Sequence, residues 1–230
     1  CAQATQGWNG LPTLVEQIQA AGGTASWVCG DVSREADAAR LVQETLTRHG
    51  RLDILVNNAA APQGADRADI EKVPLQAWED TMAINVRGVF RMSRAAVGPM
   101  RRQRWGRIIN ISSTVVKHPL TNRTAYGASK AAVIGFTQCL ALDVAPAGIT
   151  VNAVCPGSTI TSRFRSTALR SGFKDEETAM RETAVGIPLA RHGMPDEMAA
   201  TIVFLASDGA AYMTGQSLFV DGGGVPRHRA

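Results

Sequence analysis

The chain has 230 residues, enough for one domain with a sizeable core. With 45% hydrophobic and 19% charged residues it has the balance of a folded polypeptide, which excludes a disordered, collagen-like or repeat-tract chain. The formal net charge of +4 is spread along the sequence without aromatic interleaving, and no uninterrupted apolar stretch reaches the roughly 18 residues that span a bilayer. Neither nucleic acid nor a membrane is therefore expected as a partner.

Taken in chain order, Leu11 to Ala21 reads as a helix, with Leu11, Leu14, Val15 and Ile18 at helical spacing, Asn9 as cap and Gly22-Gly23 as stop. Ala25 to Cys29 has strand character. Ser33 is the expected N-cap of a second helix that carries Leu41, Val42 and Leu46 and ends at Gly50. Asp53 to Val56 reads as a strand, followed by Asn57-Asn58-Ala59-Ala60. A loop with Pro62, Gly64 and Pro74 leads into a long helix from about Gln76 to about Arg102. The cluster Arg101, Arg102, Arg104, Arg107 falls at that helix's end, where cations suit the helix dipole. Arg107 to Ile111 reads as a strand, Thr124 to Val144 as a helix, and Ile149 to Val154 as a strand. Residues 158–190 are polar, with short helical stretches and no strand. Pro195 to Ala206 reads as a helix and Gln216 to Val220 as the last strand.

This alternation predicts an α/β fold of one domain over residues 1–230, a doubly wound parallel sheet covered on both faces. Ligands in such sheets bind at the carboxyl ends of strands, beside the switch in strand order. Asp31, Asn58, Ser113 and Pro156-Gly157 all fall at such ends. Cys1, Cys29, Cys139 and Cys155 lie far apart with no CxxC pair, so no disulfide framework and no metal site is expected, and reduced cytoplasmic thiols fit the pattern.

Tyr126-Gly-Ala-Ser-Lys130 puts a phenol and an ammonium on one face of a helix. A nearby cation favours the phenolate, which suits a tyrosine to proton transfer near neutrality. A solvated lysine one turn from a tyrosine is the equally weighted structural reading. Ser112-Ser113 ends a strand, where a hydroxyl either points into the ligand crevice or caps a turn. Asn85 sits in mid-helix, against its propensity. It either faces solvent or stabilises a local break and holds a water; its apolar neighbours Ile84 and Val86 favour the second.

Together these residues resemble the short-chain dehydrogenase/reductase family of single-domain type, over essentially the whole chain. Asp31-Val32 is similar to the family's adenine-contacting pair. Asn57-Asn58-Ala59-Ala60 resembles its NNAG element, with Ala60 in place of Gly. Asn85, Ser113, Tyr126 and Lys130 fall on its catalytic tetrad, and the interval between Ser113 and Tyr126 selects Ser113 over Ser112. Pro156-Gly157 with Thr161 resembles the segment that holds the nicotinamide carboxamide. Met213 to Gln216 and Val220 to Gly223 resemble the closing segment. The resemblance implies cofactor contacts from Asp31, Val32, Asn58, Ala59, Ala60, Ile111, Tyr126, Lys130, Pro156, Gly157, Thr159 and Thr161.

One part of the family pattern has no counterpart here: the opening strand, TGxxxGxG turn and helix whose N-terminus takes the pyrophosphate. Cys1 aligns near the end of the family's second strand. The intact tetrad spacing favours a polypeptide that starts earlier over a cofactor-free scaffold, and the 230-residue chain is expected to bind dinucleotide poorly.

The resemblance further implies hydride exchange between NADP or NAD and a ketone or secondary alcohol, such as a 3-oxoacyl thioester or a polyol. In it Tyr126 moves the proton, Ser113 binds the same oxygen, Lys130 lowers the phenol's pKa and binds ribose, and Asn85 holds a water. The absence of an acid around Gln3 to Thr5 favours NADP over NAD. The substrate lid is expected at 158–190, with Arg163, Arg165, Arg170 and Lys174 preceding Asp175, Glu176 and Glu177. A homotetramer paired through the two long helices is the assembly implied. The rival reading is a non-catalytic oligomerising scaffold of the same fold; a sugar-nucleotide epimerase and a serine hydrolase fit less well.

Overall fold

A computed structural model describes residues 10–162, 164–165 and 173–224. The expectations placed on Cys1, Gln3 to Thr5, Asn9, Arg163 and Arg170 lie outside the described residues. In chain order the elements are α1 (Gly10–Ala20), α2 (Glu35–His49), β1 (Ile54–Asn57), α3 (Leu75–Met82), α4 (Gly88–Gln103), β2 (Gly106–Ile111), α5 (Thr124–Val144), β3 (Ile149–Pro156), α6 (Glu176–Ala184), α7 (Pro195–Ala206) and β4 (Ser217–Val220).

The four strands form one parallel sheet in the order β1-β2-β3-β4. Side chains alternate between its faces because a strand has period two. Ile108 therefore enters one apolar cluster with Leu55, Ala96, Met100, Ala141, Val144 and Val151, under α4 and α5. Its neighbour Ile109 enters the other, with Val154 and Leu205, under α7. Helices on both faces bury β2 and β3 almost throughout, Arg107, Asn110, Thr150 and Asn152 included, while β1 and β4 stay partly exposed. By length and composition alone Thr124–Ala147 could cross a bilayer; the fold uses it as a core helix, with Ala125, Val133, Ala141 and Val144 buried.

Helix ends follow the sequence in part. Gly22 (φ 83°) and Gly23 close α1, their N–H groups returning to Gln19 O and Ile18 O. Gly50 closes α2 at φ 77°. Ser33, however, caps nothing. The α2 N-cap is Arg34, and both the N–H and hydroxyl of Ser33 donate to Asp31 Oδ1. Asp31 is the better acceptor because its carboxylate takes both bonds at once. Of the arginine cluster, Arg101 and Arg102 lie in the last turn of α4. Arg107 lies in β2, buried, with its guanidinium 4.2 Å from the Trp105 ring.

Ala25 to Cys29 forms no strand, because a strand is a ladder and needs a neighbour. Its carbonyls at Ala25, Trp27 and Cys29, spaced as on one edge of an extended chain, instead accept from the side chains of Gln19, Arg48 and Arg40. Between this segment and β1 lies a groove of about 510 Å³, lined by Val28, Leu41, Leu55 and Val56 among others. β1 is an edge strand of the described sheet. The described strand order is accordingly sequential, without the expected reversal, since a reversal would require strands on the far side of β1.

The long helix after Pro74 is broken. Residues Ala83–Arg87 form a π-helical turn in which Gly88 N–H reaches back to Ala83 O, and Asn85 lies buried inside it. The unfavourable mid-helix Asn marks a break, and wide turns of this kind cluster at functional sites.

Candidate functional site

At the carboxyl ends of β1, β2 and β3 a cleft of about 490 Å³ opens. Register places these ends side by side: Asn57 opposes Asn110, Ile111 opposes Val154, and Pro156 opposes Val220. From β1 the cleft receives Asn58 and Ala60; from β2, Ile111 and Ser113; from α5, Tyr126 and Lys130; from β3 and the segment after it, Pro156, Gly157, Thr159 and Thr161. Ten of the residues singled out from sequence thus converge. Gln63, Ser112, Ser158 and Phe164 also line the cleft.

Each of these groups is set by local structure. Ser113 leaves β2 in extended conformation, and its Oγ accepts Val115 N–H to start a short 3₁₀ turn. Ser112 points inward, its hydroxyl donating to Lys130 O at 2.8 Å. Spacing within α5 stacks Tyr126 and Lys130, with the ammonium 5.8 Å from the phenol ring centroid. Lys130 is 4% exposed, and its Nζ donates to Ile111 O at 2.8 Å. Gly157 packs so closely on the chain that a β-carbon there would stand 2.7 Å from Asp221 Cα. Cys155, just below, is fully buried; burial pushes its thiol up against the opposing pull of Ser112 and Ser113.

Asn85 does not line the cleft. Its Oδ1 accepts Ala61 N–H at 2.8 Å, and its Nδ2 donates to Ser129 Oγ at 2.9 Å; that hydroxyl donates to Tyr126 O at 2.8 Å. The amide expected to hold a water therefore ties the loop after β1 to the first turn of α5. Ser129, which sequence reasoning passed over, is the link.

Three expected cofactor contacts also stand elsewhere. Asp31 lies in the turn that precedes α2, its carboxylate taken up by Ser33. Val32 packs on Gly88 of α4 and, with Asn58 and Ala59, borders the groove beside β1. Asn57 is part of a buried chain of its own: its Nδ2 donates to Ser93 Oγ and Asn110 Oδ1, and Asn110 Nδ2 donates to Thr137 Oγ1. No cluster of three or more metal-ligating side chains occurs among the described residues.

The fit to a nicotinamide dinucleotide is good at one end. A buried ammonium, a phenol, three serines and two threonines line a cleft of ring-and-ribose size. At the pyrophosphate end the described residues offer no glycine turn running into a helix N-terminus.

This geometry coincides with what the chain is similar to. The profile of a family described as enoyl-(acyl carrier protein) reductase matches residues 6–224. The chain belongs to the short-chain dehydrogenase/reductase family. It is 40% identical over 210 residues to an uncharacterized oxidoreductase of Thermotoga maritima, covering 91% of this chain and 80% of that one. To the 3-oxoacyl-[acyl-carrier-protein] reductase of a Synechocystis species it is 38% identical over 213 residues, covering 92% and 81%. Among solved structures, YwfH, an NADPH-dependent reductase involved in bacilysin biosynthesis, superposes with a TM-score of 0.86 at 29% identity, covering 94% of this chain and 85% of that one. An NAD⁺-bound xylitol dehydrogenase superposes with a TM-score of 0.84 at 32% identity, covering 93% and 84%. As a short-chain dehydrogenase/reductase, the chain is an NAD(P)-dependent oxidoreductase of Rossmann-like α/β fold.

Proposed function

We propose that this protein reduces the keto group of a 3-oxoacyl thioester, using NADPH. The observation that carries the reading is the convergence of Ser113, Tyr126 and Lys130 in one cleft with Pro156, Gly157, Thr159 and Thr161, supported by similarity to a 3-oxoacyl reductase.

The dinucleotide supplies the hydride. The Tyr126 hydroxyl donates a proton to the carbonyl oxygen, and Ser113 Oγ hydrogen-bonds that oxygen as negative charge develops on it. Lys130 holds its charge near the phenol and offers donors to the nicotinamide ribose. Thr159 and Thr161 would hold the carboxamide. Asn85 and Ser129 set the position of α5's first turn against the loop after β1. Asp31, Val32 and Ala59 extend the site toward the adenine end.

The expected assembly is a homo-oligomer, a tetramer by family analogy. Phe90 and Leu142 are exposed on α4 and α5, and Val203 and Tyr212 are exposed on and after α7, leaving two apolar faces for subunit contact. A cytoplasmic setting belongs to the same proposal.

The test is loss of NADPH absorbance with acetoacetyl-coenzyme A, run beside NADH and beside xylulose. Turnover of the thioester with NADPH supports the reading. Preference for xylulose and NADH favours a polyol dehydrogenase, the reading that the xylitol dehydrogenase likeness supports. Reduction of neither, with no dinucleotide binding, favours the non-catalytic scaffold.

A further inference from the structure

Residues 158–161 border the cleft, with Ile160 turned to the other side. Thr159 and Thr161 line the cleft, and Ile160 lines a second cavity of about 460 Å³. The segment is held there by main-chain bonds to the turn before α7: Gly193 N–H donates to Ser158 O, and Ile160 N–H donates to Gly193 O. Ile160, Met180, Ala184, Ala190, His192 and Met194 line the second cavity, together with the charged side chains of Glu177, Arg181 and Arg191.

Just past this segment a pair of rings brings the linings of the two spaces into contact. Phe164 lines the cleft, and its ring centroid lies 4.8 Å from that of His192, which lines the cavity behind. The imidazole is a fixed backing. It is 4% exposed, and its Nε2 lies 3.0 Å from Met180 O and 2.9 Å from Thr183 Oγ1, both on α6. A carbonyl oxygen only accepts, so Nε2 carries the hydrogen, and the ring is pinned to α6.

The cleft itself is shared space. Its roughly 490 Å³ must take the nicotinamide end of a dinucleotide as well as the ketone. A space of about 460 Å³ lies on the His192 side of the ring pair.

We infer that Phe164, backed by His192, is a specificity-determining residue that limits the substrate's non-reacting acyl arm to a short one. The inference rests on the 3-oxoacyl reading and gives that reading a substrate class: thioesters of short, unbranched 3-oxo acids. One arm of the substrate leaves through the cleft's open mouth, and the other ends against Phe164. Truncating the ring joins the two spaces and lets a long arm run on past Ile160 and Met180.

The experiment measures kcat/KM across a series from 3-oxobutanoyl to 3-oxododecanoyl thioesters for the parent and for Phe164→Ala, Phe164→Leu and His192→Ala. The parent is expected to lose at least about tenfold across the series, since a pocket that cannot admit added methylenes discriminates on that scale. Phe164→Ala should flatten the series to within about threefold, chiefly through KM, with Phe164→Leu intermediate. His192→Ala should relax it in part by removing the backing.

A parent that reduces the longest thioester as well as the shortest overturns the inference. So does a Phe164→Ala protein that keeps the steep series; if that variant does not fold, Phe164→Leu decides in its place. Calorimetric binding of 2-alkanols of matching length, with no turnover required, reads the same wall. If thioesters are not reduced but alkanol binding still falls with length and recovers in the Phe164 variant, the 3-oxoacyl reading fails while the role of Phe164 stands. If alkanol binding ignores length in the parent, the role of Phe164 fails whatever the enzyme reduces.

Discussion

Lys130 reaches from α5 to the last residue of β2, its ammonium 2.8 Å from the main-chain oxygen of Ile111 and 5.8 Å from the Tyr126 ring. The strand end, the cation and the phenol are thus one unit, and changing either side chain should have distinct consequences. Tyr126→Phe removes the transferable proton and leaves the ring in place. Turnover should fall by about 10²–10⁴ while dinucleotide affinity stays within about twofold. Lys130→Met should lower both. Steady-state kinetics with a fluorescence binding titration separates the two outcomes, and joint loss in Tyr126→Phe would show that its role is misassigned.

Among the described residues, the groups that fit a dinucleotide lie at its nicotinamide end. NADPH and reduced nicotinamide mononucleotide should therefore bind this 230-residue chain with dissociation constants within about tenfold, a gap of about 1.4 kcal/mol or less. Calorimetry on the two ligands checks this. NADPH binding tightly where the mononucleotide shows none would reveal a strong phosphate contact.

Asn110 accepts from Asn57 and donates to Thr137 in a fully buried position. Asn110→Ala leaves a donor on one side and a hydroxyl on the other without their partner. The cost should be about 2–4 kcal/mol, read as a lower urea midpoint with an unchanged slope. Asn110→Asp should also destabilise, since a carboxylate can accept from Asn57 but cannot donate to Thr137.

Glu197 closes the first turn of α7. It accepts two bonds from Arg191 and one from Met194 N–H, and these partners pull its carboxyl down to about 2. A carboxyl depressed in the folded state stabilises fully above its unfolded value, about 4.3, and loses that contribution as pH falls toward the folded one. Glu197→Gln should lower Tm by a few degrees at pH 7, with the difference from the parent shrinking as the pH drops below about 4. A difference that does not change with pH would remove the ion pair from the explanation.

Much of this arrangement can be read from residue order because the signals are local. Alternation of apolar runs and helical stripes places β1 to β4 and most helices. Tyr126 and Lys130 share a face by spacing alone, and the misfit of Asn85 in a helix marks the wide turn. What escapes depends on partners distant in the chain. Ala25 to Cys29 has the composition of a strand, yet pairing is not a property of composition. Ser33 is a good cap by type and loses to Asp31 two residues away. The Asn57–Asn110 contact exists only through sheet register. Ser129 is hidden between two residues of more obvious chemistry, and Phe164 sits in a polar stretch with no periodicity to single it out.

The wide turn at Ala83–Arg87 holds one residue more than an ordinary helical path needs. Deleting any single residue there should leave a continuous α-helix whose two halves keep their mutual orientation, because the wide turn is what absorbs the surplus residue. Asn85 would lose its reach to Ala61 and Ser129 together. The surplus residue therefore acts as a local outpocketing that carries Asn85 to its two partners, which ordinary substitutions preserve and a one-codon deletion erases.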